Sequence, residues 1–263
     1  MSIELYNGDC LEIMKQLPSK SIDCFLCDLP YGQLHPLRKQ TDKWYDIKQN
    51  GGESCAWDIK IDLKQFWEQV ERLAKNDNTP IIHFCNTKFG IDLINSKPDW
   101  FRYDLVWDKG RGVSFLSANK MPMKSHEMIY VFSKKGAYYN RVDVKTDKKE
   151  WVRYKTGKKI DKSKQYGVDR TKAEATGGQD GLRCALSVIQ VSRKARDGHP
   201  TEKPHELYKW LIERYCPPNG TLLDPTAGSF NSCFVGYELD RECIGIEKDS
   251  AYYKKACEKA DTL

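Results

Sequence analysis

Short apolar runs that alternate with amphipathic helical patterns constrain the fold of this chain more than any other feature. Residues 21–27 form such a run, and others lie at residues 80–85, 103–107 and 128–132. Continuous apolar runs of this length are typical of strands buried on both faces of a parallel sheet. Between the first two runs, Asp62 can cap a helix with an apolar stripe. The stripe comprises Leu63, Phe66, Trp67, Val70, Leu73 and Ala74. The alternation predicts an α/β fold with crossover helices.

The carboxyl-terminal part of the chain shows the same alternation in a tighter form. Its predicted segments are a helix over residues 204–215, a strand over 221–223, a helix to about Leu239, a strand over 243–246 and a final helix from Asp249. Strands and helices in this order form a βαβα unit, which also belongs to an α/β sheet.

Length, charge and cysteine usage limit the class of protein. With 263 residues, the chain is one large domain or one domain with a large insertion. The formal charge of +6 permits a polyanionic partner without proving one. The ten cysteines are scattered singly, which fits reduced thiols and not a disulfide framework. No stretch approaches the roughly 18 apolar residues of a membrane span, and no targeting pattern opens the chain, so we expect a soluble, cytoplasmic protein.

Residues 134–172 differ in character from the rest of the chain. They contain 14 Lys and Arg against 5 Asp and Glu, a charge of +9, so the remaining residues sum to −3. The stretch is either a solvated loop or a phosphate-contacting surface, because Lys and Arg release counterions from DNA on binding. Five aromatic residues interleave with the charges, and they either stack on exposed bases or form a small satellite core. They are Tyr138, Tyr139, Trp151, Tyr154 and Tyr166.

A loop of small residues follows the predicted strand at residues 221–223. Asp224 ends the strand, and Ala227-Gly228-Ser229 opens the next helix. Small residues at such a turn let backbone N–H groups approach a ligand. Glu247 ends the following strand, and an acidic residue about 20 positions after such a loop is placed to bind both ribose hydroxyls of a nucleoside. An acidic residue at the start of the loop would repel a pyrophosphate but accommodate an ammonium group or a ribose. By itself, the unit is equally consistent with an ordinary βαβ turn.

A second loop, Asp28-Leu29-Pro30-Tyr31-Gly32, follows the apolar run at residues 21–27. Its residues suit an exocyclic amino group of a base, which is a poor nucleophile because its lone pair is delocalised into the ring. Asp28 offers a carboxylate acceptor, and Leu29 offers a backbone carbonyl that Pro30 would hold in an extended conformation. Tyr31 offers an aromatic face to a flipped base. In isolation, this pattern is more often an ordinary strand and turn with a proline.

Taken together, four motifs resemble those of the S-adenosylmethionine-dependent amino-methyltransferases that act on DNA. In that family, a D-P-P-Y motif ends one strand and a D-P-F-x-G-S-G motif ends its neighbour, and residues 28–31 and 224–230 are similar to them. In the permuted group often called beta, the catalytic motif comes first, then a target-recognition region, an H-P-T-Q-K-P motif and the cofactor loop. Residues 199–204 read His-Pro-Thr-Glu-Lys-Pro, and residues 7–10 read Asn-Gly-Asp-Cys, like the family's amino-terminal segment.

The resemblance implies a fold and a division of the chain. The fold is a doubly wound, mostly parallel, Rossmann-like α/β sheet that is circularly permuted and carries a basic target-recognition insertion. Residues 1–133 would form the catalytic half of the core, residues 134–196 the insertion and residues 197–263 the cofactor-binding half. The strands that end at Asp28 and Asp224 would lie side by side at the switch point of the sheet.

The resemblance also implies roles for particular residues. Asp28 and Pro30 would border the target amine, and Tyr31 would stack on the base. Thr201 and Lys203 would lie near the methionine end of S-adenosylmethionine, and Glu247 would hold its ribose. The full set implied in cofactor binding is Asp9, Cys10, Asp28, Thr201, Lys203, Asp224, Thr226, Gly228, Ser229 and Glu247, with Asp9 and Cys10 near the adenine. No metal is implied.

The implied reaction is methyl transfer to adenine N6 of a flipped base in DNA, expected to be double-stranded. A leading aspartate is the form that the family mostly uses for adenine, while serine is commoner for cytosine N4. Cytosine N4, an RNA base, and a DNA-binding protein with an inactive methyltransferase core stay open as alternatives. A homodimer is implied by the resemblance alone.

Three residues depart from the family's motifs. Leu29 replaces the first proline of D-P-P-Y but keeps its carbonyl, so activity is expected to survive. Glu202 replaces a glutamine and adds a negative charge. Phe230 replaces the last glycine of the cofactor loop and is expected to narrow the methionine pocket.

Two further patterns are weaker. Cys24 and Cys27 have the spacing of a metal or redox pair, but they lie in a predicted buried strand with no second pair nearby, so a metal site is not expected. The pair His126-Glu127 has no partner at metal-ligand spacing, and we expect it to close a polar turn before the strand at residues 128–132.

Overall fold

The computed structural model describes residues 1–32, 59–113, 115, 118–145, 182–192 and 202–263. The strands of this part are β1 (Ile3–Asn7), β2 (Cys24–Cys27), β3 (Ile81–Cys85), β4 (Phe101–Val113), β5 (Lys124–Phe132), β6 (Val144–Lys145), β7 (Leu182–Arg183), β8 (Val188–Gln190), β9 (Thr221–Asp224) and β10 (Glu242–Glu247). The α-helices are α1 (Cys10–Gln16), α2 (Leu63–Leu73), α3 (Thr87–Ser96), α4 (His205–Tyr215), α5 (Asn231–Glu238) and α6 (Ser250–Ala260).

Eight of these strands form one sheet in the order β1-β10-β9-β2-β3-β5-β4-β8. Neighbouring strands are parallel except at β5, which runs antiparallel to both β3 and β4. At the centre, β2 pairs with β9, with Cys24 opposite Leu222 and Phe25 opposite Leu223. The chain winds from β2 to β3 in one direction and from β9 to β10 in the other, so the topological switch point lies between β2 and β9. The doubly wound, mostly parallel sheet that the sequence predicts is confirmed.

Helices cover both faces of this sheet. Alternate residues of a strand point to opposite faces, and Phe25 and Cys27 of β2 pack on the side of α1, α2 and α3. Cys24 and Leu26 pack on the other side, against α4 and α5. All four residues of β2 are buried, which explains why this strand appears in the sequence as a continuous apolar run.

Most predicted elements are present, and the differences have physical causes. The capping of α2 is confirmed, because the Asp62 side chain accepts hydrogen bonds from the backbone N–H groups of Lys64 and Gln65. β4 and β5 are longer than predicted, since both continue as a hairpin into polar sequence. β1, α1, α3 and β8 were not predicted. β1 is an edge strand without a fully buried residue, and α1 has only seven residues, so neither carries a long apolar pattern.

The described chain divides into two compact units. The first is Met1–Asn140 with Ser187–Leu263, and the second is Arg141–Leu186, where β6 pairs with β7. No helix in the described part of the chain combines the length and the apolar composition that a membrane span requires.

The second unit is narrower than the insertion expected at residues 134–196. Residues 134–140 belong to the first unit: Lys135 forms an ion pair with Asp77, and the Tyr139 ring packs against Tyr215 with centroids 5.6 Å apart. Tyr139 therefore contacts the core of the first unit. The rest of the predicted aromatic and basic surface, with Trp151, Tyr154 and Tyr166, lies outside the described residues.

His83 in β3 is buried without a hydrogen-bond partner among the described residues. Both ring nitrogens lack one, and the ring lies edge-on to Phe66, Trp67 and Phe132. Burial lowers its pKa to about 3. Since an unfolded histidine titrates near its ordinary pKa of about 6.5, the unfolded chain binds a proton first as the pH falls. The folded state therefore loses stability relative to the unfolded chain as the pH falls from about 6.5 toward 3.

We expect the substitution His83→Phe to gain stability relative to the wild type as the pH falls. From about pH 7.5 to pH 5, the difference in free energy of unfolding should grow by roughly 2 kcal/mol in favour of the variant. Chemical denaturation at both pH values measures this difference, and the comparison cancels groups that titrate in both proteins. A difference that does not vary with pH would contradict a buried, neutral His83.

Candidate active site

The carboxyl ends of β2 and β9 bring the two predicted loops together. Asp28 directly follows β2, and Asp224 is the last residue of β9. Because these strands are parallel neighbours, both aspartates lie at the same edge of the sheet, at its switch point. The predicted side-by-side placement of the two strands is confirmed.

Two donors hold the Asp28 carboxylate. Tyr31 Oη donates to Oδ1 at 2.8 Å, and Lys203 Nζ donates to Oδ2 at 2.5 Å. Lys203 lies just before α4 and is only 5% exposed, with its ammonium group 4.9 Å from the centre of the Phe84 ring. The resemblance implies that Lys203 lies near the methionine end of the cofactor, and the structure places its amine on the Asp28 carboxylate.

Glu127 completes a largely buried cluster of alternating charges, in which the Asp28 side chain is the most exposed at 24%. The Glu127 carboxylate lies 2.8 Å from Lys109 Nζ and 3.5 Å from Lys203 Nζ, and 3.2 Å from the Tyr31 hydroxyl. The cluster of Lys109, Glu127, Lys203 and Asp28 thus pairs two ammonium groups with two carboxylates, as buried charges require. The expectation that residues 126–127 close a polar turn is wrong, because Glu127 lies inside β5.

The members of this cluster fix one another's protonation states. Burial alone would raise the pKa of Glu127, but Lys203 and Lys109 outweigh it and lower that pKa to about 2. Burial alone would lower the pKa of Lys203, but Asp28 and Glu127 raise it above its usual value. Burial, together with the same two carboxylates, raises the pKa of Tyr31 well above its ordinary range. At neutral pH, Glu127 is therefore ionised, Lys203 is an ammonium and Tyr31 is a neutral phenol.

One face of the Tyr31 ring is occupied within the protein. The Tyr31 ring stacks on Phe89 with centroids 5.1 Å apart and an interplanar angle of 28°. A flipped base could therefore stack only on the other face of Tyr31. Leu29 is 1% exposed and packs in the core beside α1, α2 and α3, and Pro30 is half-buried. Leucine at position 29 is thus accommodated as a core residue.

Two carboxylates shape the loop after β9. Asp224 is 3% exposed and accepts hydrogen bonds from the Thr226 backbone N–H and the Ser232 hydroxyl. Glu247, at the end of β10, accepts a hydrogen bond from the Gly228 N–H at 2.8 Å. Burial raises the pKa of Asp224 to about 7 and raises that of Glu247 above its usual value. The two side chains hold the loop from its first residue and from the neighbouring strand.

One polar atom of this loop is left for a ligand. Thr226 Oγ1 is buried and has no hydrogen-bond partner among the described residues. Leaving such a group unpaired costs about 1–3 kcal/mol, which a bound ligand that hydrogen-bonds to it would offset. Ser229 is half-buried in the same loop, and Gly228 has a φ of +56°, which favours glycine. The loop therefore fits a small polar ligand.

The first loop of the chain reaches the same edge. The Gly8 N–H donates to the Glu247 carbonyl at 3.0 Å. Asp9 follows and caps α1, and Cys10 is the first, buried residue of that helix. The structure thus brings Asp9 and Cys10 next to Glu247, whereas Thr201 lies outside the described residues.

The other two departures from the family's motifs are explained by the structure. Phe230 has a φ of +59°, in the region that favours glycine, and its side chain is fully buried. Its ring packs on β10, where a Cβ added to Gly245 would lie 2.5 Å from it. A ring turned into the core lines no open pocket, so the expectation that Phe230 narrows the methionine pocket is wrong. The Glu202 carboxylate accepts a hydrogen bond from the Asn231 side chain at the start of α5.

Known proteins match this chain over nearly its whole length. Residues 22–258 match the family described as DNA methylase, of the N6/N4 type. The Type II methyltransferase M.HinfI of Haemophilus influenzae is 26% identical over 262 residues, which cover 94% of this chain and 65% of that protein. The chain thus spans slightly less than two thirds of the length of M.HinfI. The DNA adenine methyltransferase YhdJ of Escherichia coli K12 is 25% identical over 267 residues, which cover 98% of this chain and 82% of YhdJ.

Solved structures share the fold at low sequence identity. The M1.HpyAVI–SAM complex has a TM-score of 0.59 at 19% identity and covers 98% of this chain and 99% of that one. The cytosine-N4-specific PvuII DNA methyltransferase has a TM-score of 0.63 at 16% identity, and the match covers 100% of this chain and 91% of that one. The match to the family spans both strand-end loops and every residue of the charge cluster, and this chain belongs to the adenine-N6/cytosine-N4 DNA amino-methyltransferase family.

Proposed function

We propose that this chain transfers the methyl group of S-adenosylmethionine to an exocyclic amino group of a base in DNA, and that the base is adenine, modified at N6. The observation that carries the proposal is the pairing of β2 with β9. This pairing brings Asp28 to the same end of the sheet as the loop at residues 224–230, and their proximity supports an amine acceptor next to a cofactor loop. Membership of the family supports the class of reaction.

Asp28 is the acceptor that the target amine needs. The hydrogens of the amine must be held while its nitrogen becomes pyramidal and its lone pair turns away from the ring. An ionised carboxylate offers about four lone-pair sites, and Asp28 uses one on each oxygen, for Tyr31 and for Lys203. It can therefore accept a hydrogen bond from the amine without releasing either partner. S-Adenosylmethionine would supply a methyl group that its sulfonium already activates: the bond from sulfur to the methyl carbon breaks as the bond from nitrogen forms. S-Adenosylhomocysteine would be the leaving group, and the extra proton of the methylated amine would pass to solvent.

Lys203, Glu127 and Tyr31 act through Asp28. Lys203 bonds to one Asp28 oxygen and Tyr31 to the other, and Glu127 lies against both of these donors. Their contacts leave the carboxylate one orientation at the edge of the sheet. We therefore assign Lys203 and Glu127 as positioning residues, since catalysis of this kind depends on holding the reacting groups in register.

The residues that would hold S-adenosylmethionine lie on loops at this same edge. We assign Asp224, Thr226, Gly228 and Ser229 to the loop under the cofactor, Glu247 to its ribose, and Asp9 and Cys10 to its adenine. The unpaired Thr226 hydroxyl supports this assignment. Thr201 at the methionine end remains a prediction.

Adenine is the target that the leading Asp28 favours, because the family mostly uses aspartate for adenine N6. Both targets occur among similar proteins, since YhdJ is a DNA adenine methyltransferase and the PvuII enzyme is cytosine-N4-specific. The substrate we infer is duplex DNA. A homodimer, a cytoplasmic location and target recognition by residues 134–196 remain predictions.

Nucleoside mass spectrometry of unmethylated bacterial DNA tests the target base. After incubation with the protein and S-adenosylmethionine, we expect N6-methyladenine in the hydrolysed DNA. N4-methylcytosine would keep the reaction class but overturn the base. Methylation of RNA alone would overturn DNA as the substrate, and the absence of both methylation and cofactor binding would favour an inactive core.

A further inference from the structure

The hairpin formed by β4 and β5 extends beyond the rest of the sheet. β8 pairs with β4 only up to Asp108, and β3 pairs with β5 only from Met128 onward. Beyond these points, the two strands pair only with each other among the described strands, as far as Val113 opposite Lys124. We call residues 109–113, 115 and 118–126 the projecting hairpin, because residues 114, 116 and 117 lie outside the described part of the chain.

The projecting hairpin leaves the sheet at the active site. Its pairing is irregular between Asp108 and Val113, and such bulges bend a strand and redirect its side chains. Gly110 has a φ of +66°, and a Cβ at Gly112 would lie 2.7 Å from the Met123 side chain, so both glycines are needed in this bulge. Lys109, the first residue of the bulge, binds Glu127 at 2.8 Å. The base of the projecting hairpin is thus part of the charge cluster around Asp28.

The surface of the projecting hairpin is basic and apolar. Its side chains at Phe115, Met121 and Met123 are 77%, 53% and 40% exposed. It contains four basic residues, Lys109, Arg111, Lys120 and Lys124, and no acidic residue. Arg111, Lys120 and Lys124 form no ion pair with other described residues. A single exposed apolar side chain is ordinary, but three together among unpaired cations next to an active site indicate a binding surface.

We propose that the projecting hairpin binds duplex DNA beside the flipped base, with Arg111 and Lys120 on phosphates and Phe115 against the stack that flipping opens. This inference rests on the proposed function, since a base must leave the duplex to reach Asp28. Unstacking leaves a gap, and proteins fill such gaps with apolar side chains while cations neutralise the neighbouring phosphates. The charge and the position of the hairpin match both requirements.

The ionic part of the proposal is tested by salt-dependent binding to a fluorescent duplex of mixed sequence. Each phosphate contact contributes about 0.9 to the slope of log Kd against log salt, so Arg111→Gln with Lys120→Gln should lower the slope by about 2. The control is Lys254→Gln with Lys255→Gln, which removes equal charge from exposed positions on α6 and should leave the slope unchanged. An unchanged slope in the hairpin variant would overturn the proposal.

The apolar part is tested by methyl transfer to unmethylated bacterial DNA. Phe115→Ala should lower kcat/KM for DNA by about tenfold, the effect of losing one stacking contact, with the affinity for S-adenosylmethionine unchanged. The control is Ile91→Ala, which truncates another exposed apolar side chain, 53% exposed on α3, and should leave kcat/KM for DNA unchanged. Wild-type activity in Phe115→Ala would overturn the proposal. So would binding of duplex RNA that is tighter than binding of duplex DNA and that the hairpin substitutions weaken. If the wild-type protein binds no DNA at all, both the proposed function and the proposal for the hairpin fail. The other negative results refute only the proposal for the hairpin.

Discussion

Replacing Asp28 by alanine is expected to abolish methyl transfer while leaving cofactor binding largely intact. The substitution removes the proposed acceptor of the target amine and also the anchor of Tyr31 and Lys203. Losing a group that hydrogen-bonds to the reacting centre in the transition state costs roughly 10²–10³ in rate, and because Tyr31 and Lys203 also lose their anchor, we expect kcat to fall by about 10³ or more. The loop that would hold the cofactor is shaped by Asp224 and Glu247, so its Kd should change far less. Incorporation of labelled methyl groups and calorimetry measure the two quantities.

A matched control separates the role of Asp28 from a general effect of losing an aspartate. Asp92 pairs with Lys60 at 2.6 Å on the protein surface, so Asp92→Ala removes a carboxylate–lysine pair away from the site. This variant should retain wild-type kcat, because exposed pairs contribute little. If Asp28→Ala kept kcat within about tenfold of the wild type, Asp28 would not be the acceptor that we assign.

Lys203→Met is expected to be strongly destabilising as well as inactivating. It removes the ammonium group between Asp28 and Glu127 and leaves their two negative charges together in a largely buried site. Removing one partner of a buried ion pair typically costs about 3–5 kcal/mol of unfolding free energy. The pKa of Glu127, held at about 2 by Lys203 and Lys109 against the effect of burial, should rise. Urea unfolding measures the loss of stability.

A double-mutant cycle shows whether the loss arises from the charge cluster. Adding Glu127→Gln to Lys203→Met leaves Asp28 and Lys109, one charge of each sign, so the double variant should be less destabilised than the sum of the two single variants. Lys209→Met, on the exposed side of α4, should change stability by less than about 1 kcal/mol. If the losses of unfolding free energy in the two single variants sum to that of the double variant within about 0.5 kcal/mol, Lys203 and Glu127 are not coupled.

The strands that carry the two motifs could be predicted from the sequence because both lie in the middle of the sheet. β2 is buried on both faces and is therefore a continuous apolar run, and Asp28 marks its end. β1 escaped prediction because an edge strand alternates between partly buried and exposed residues and has no such run. The conformation of Phe230 could not be read either, since its left-handed backbone turns the ring into the core.

The charge cluster could be predicted only in part. Lys203 and Asp28 are 175 residues apart, and no local pattern indicates that they touch. Glu127 did leave a signal, because it is buried in phase with Ile129 and Val131 of β5. An acidic residue that continues the period-2 pattern of a buried strand points to a charged partner in the core. The polar sequence before Met128 obscured this pattern, because β5 no longer pairs with β3 there.

The central claim is that Asp28 and the loop after β9 form one methyl-transfer site. A single-turnover experiment tests it most directly: the protein is loaded with methyl-labelled S-adenosylmethionine and mixed with unmethylated bacterial duplex DNA. The label should move into the DNA with the wild type and stay on the bound cofactor with Asp28→Ala. Equal transfer by the two proteins, or wild-type protein that binds the cofactor but leaves every DNA base unlabelled, would contradict the account.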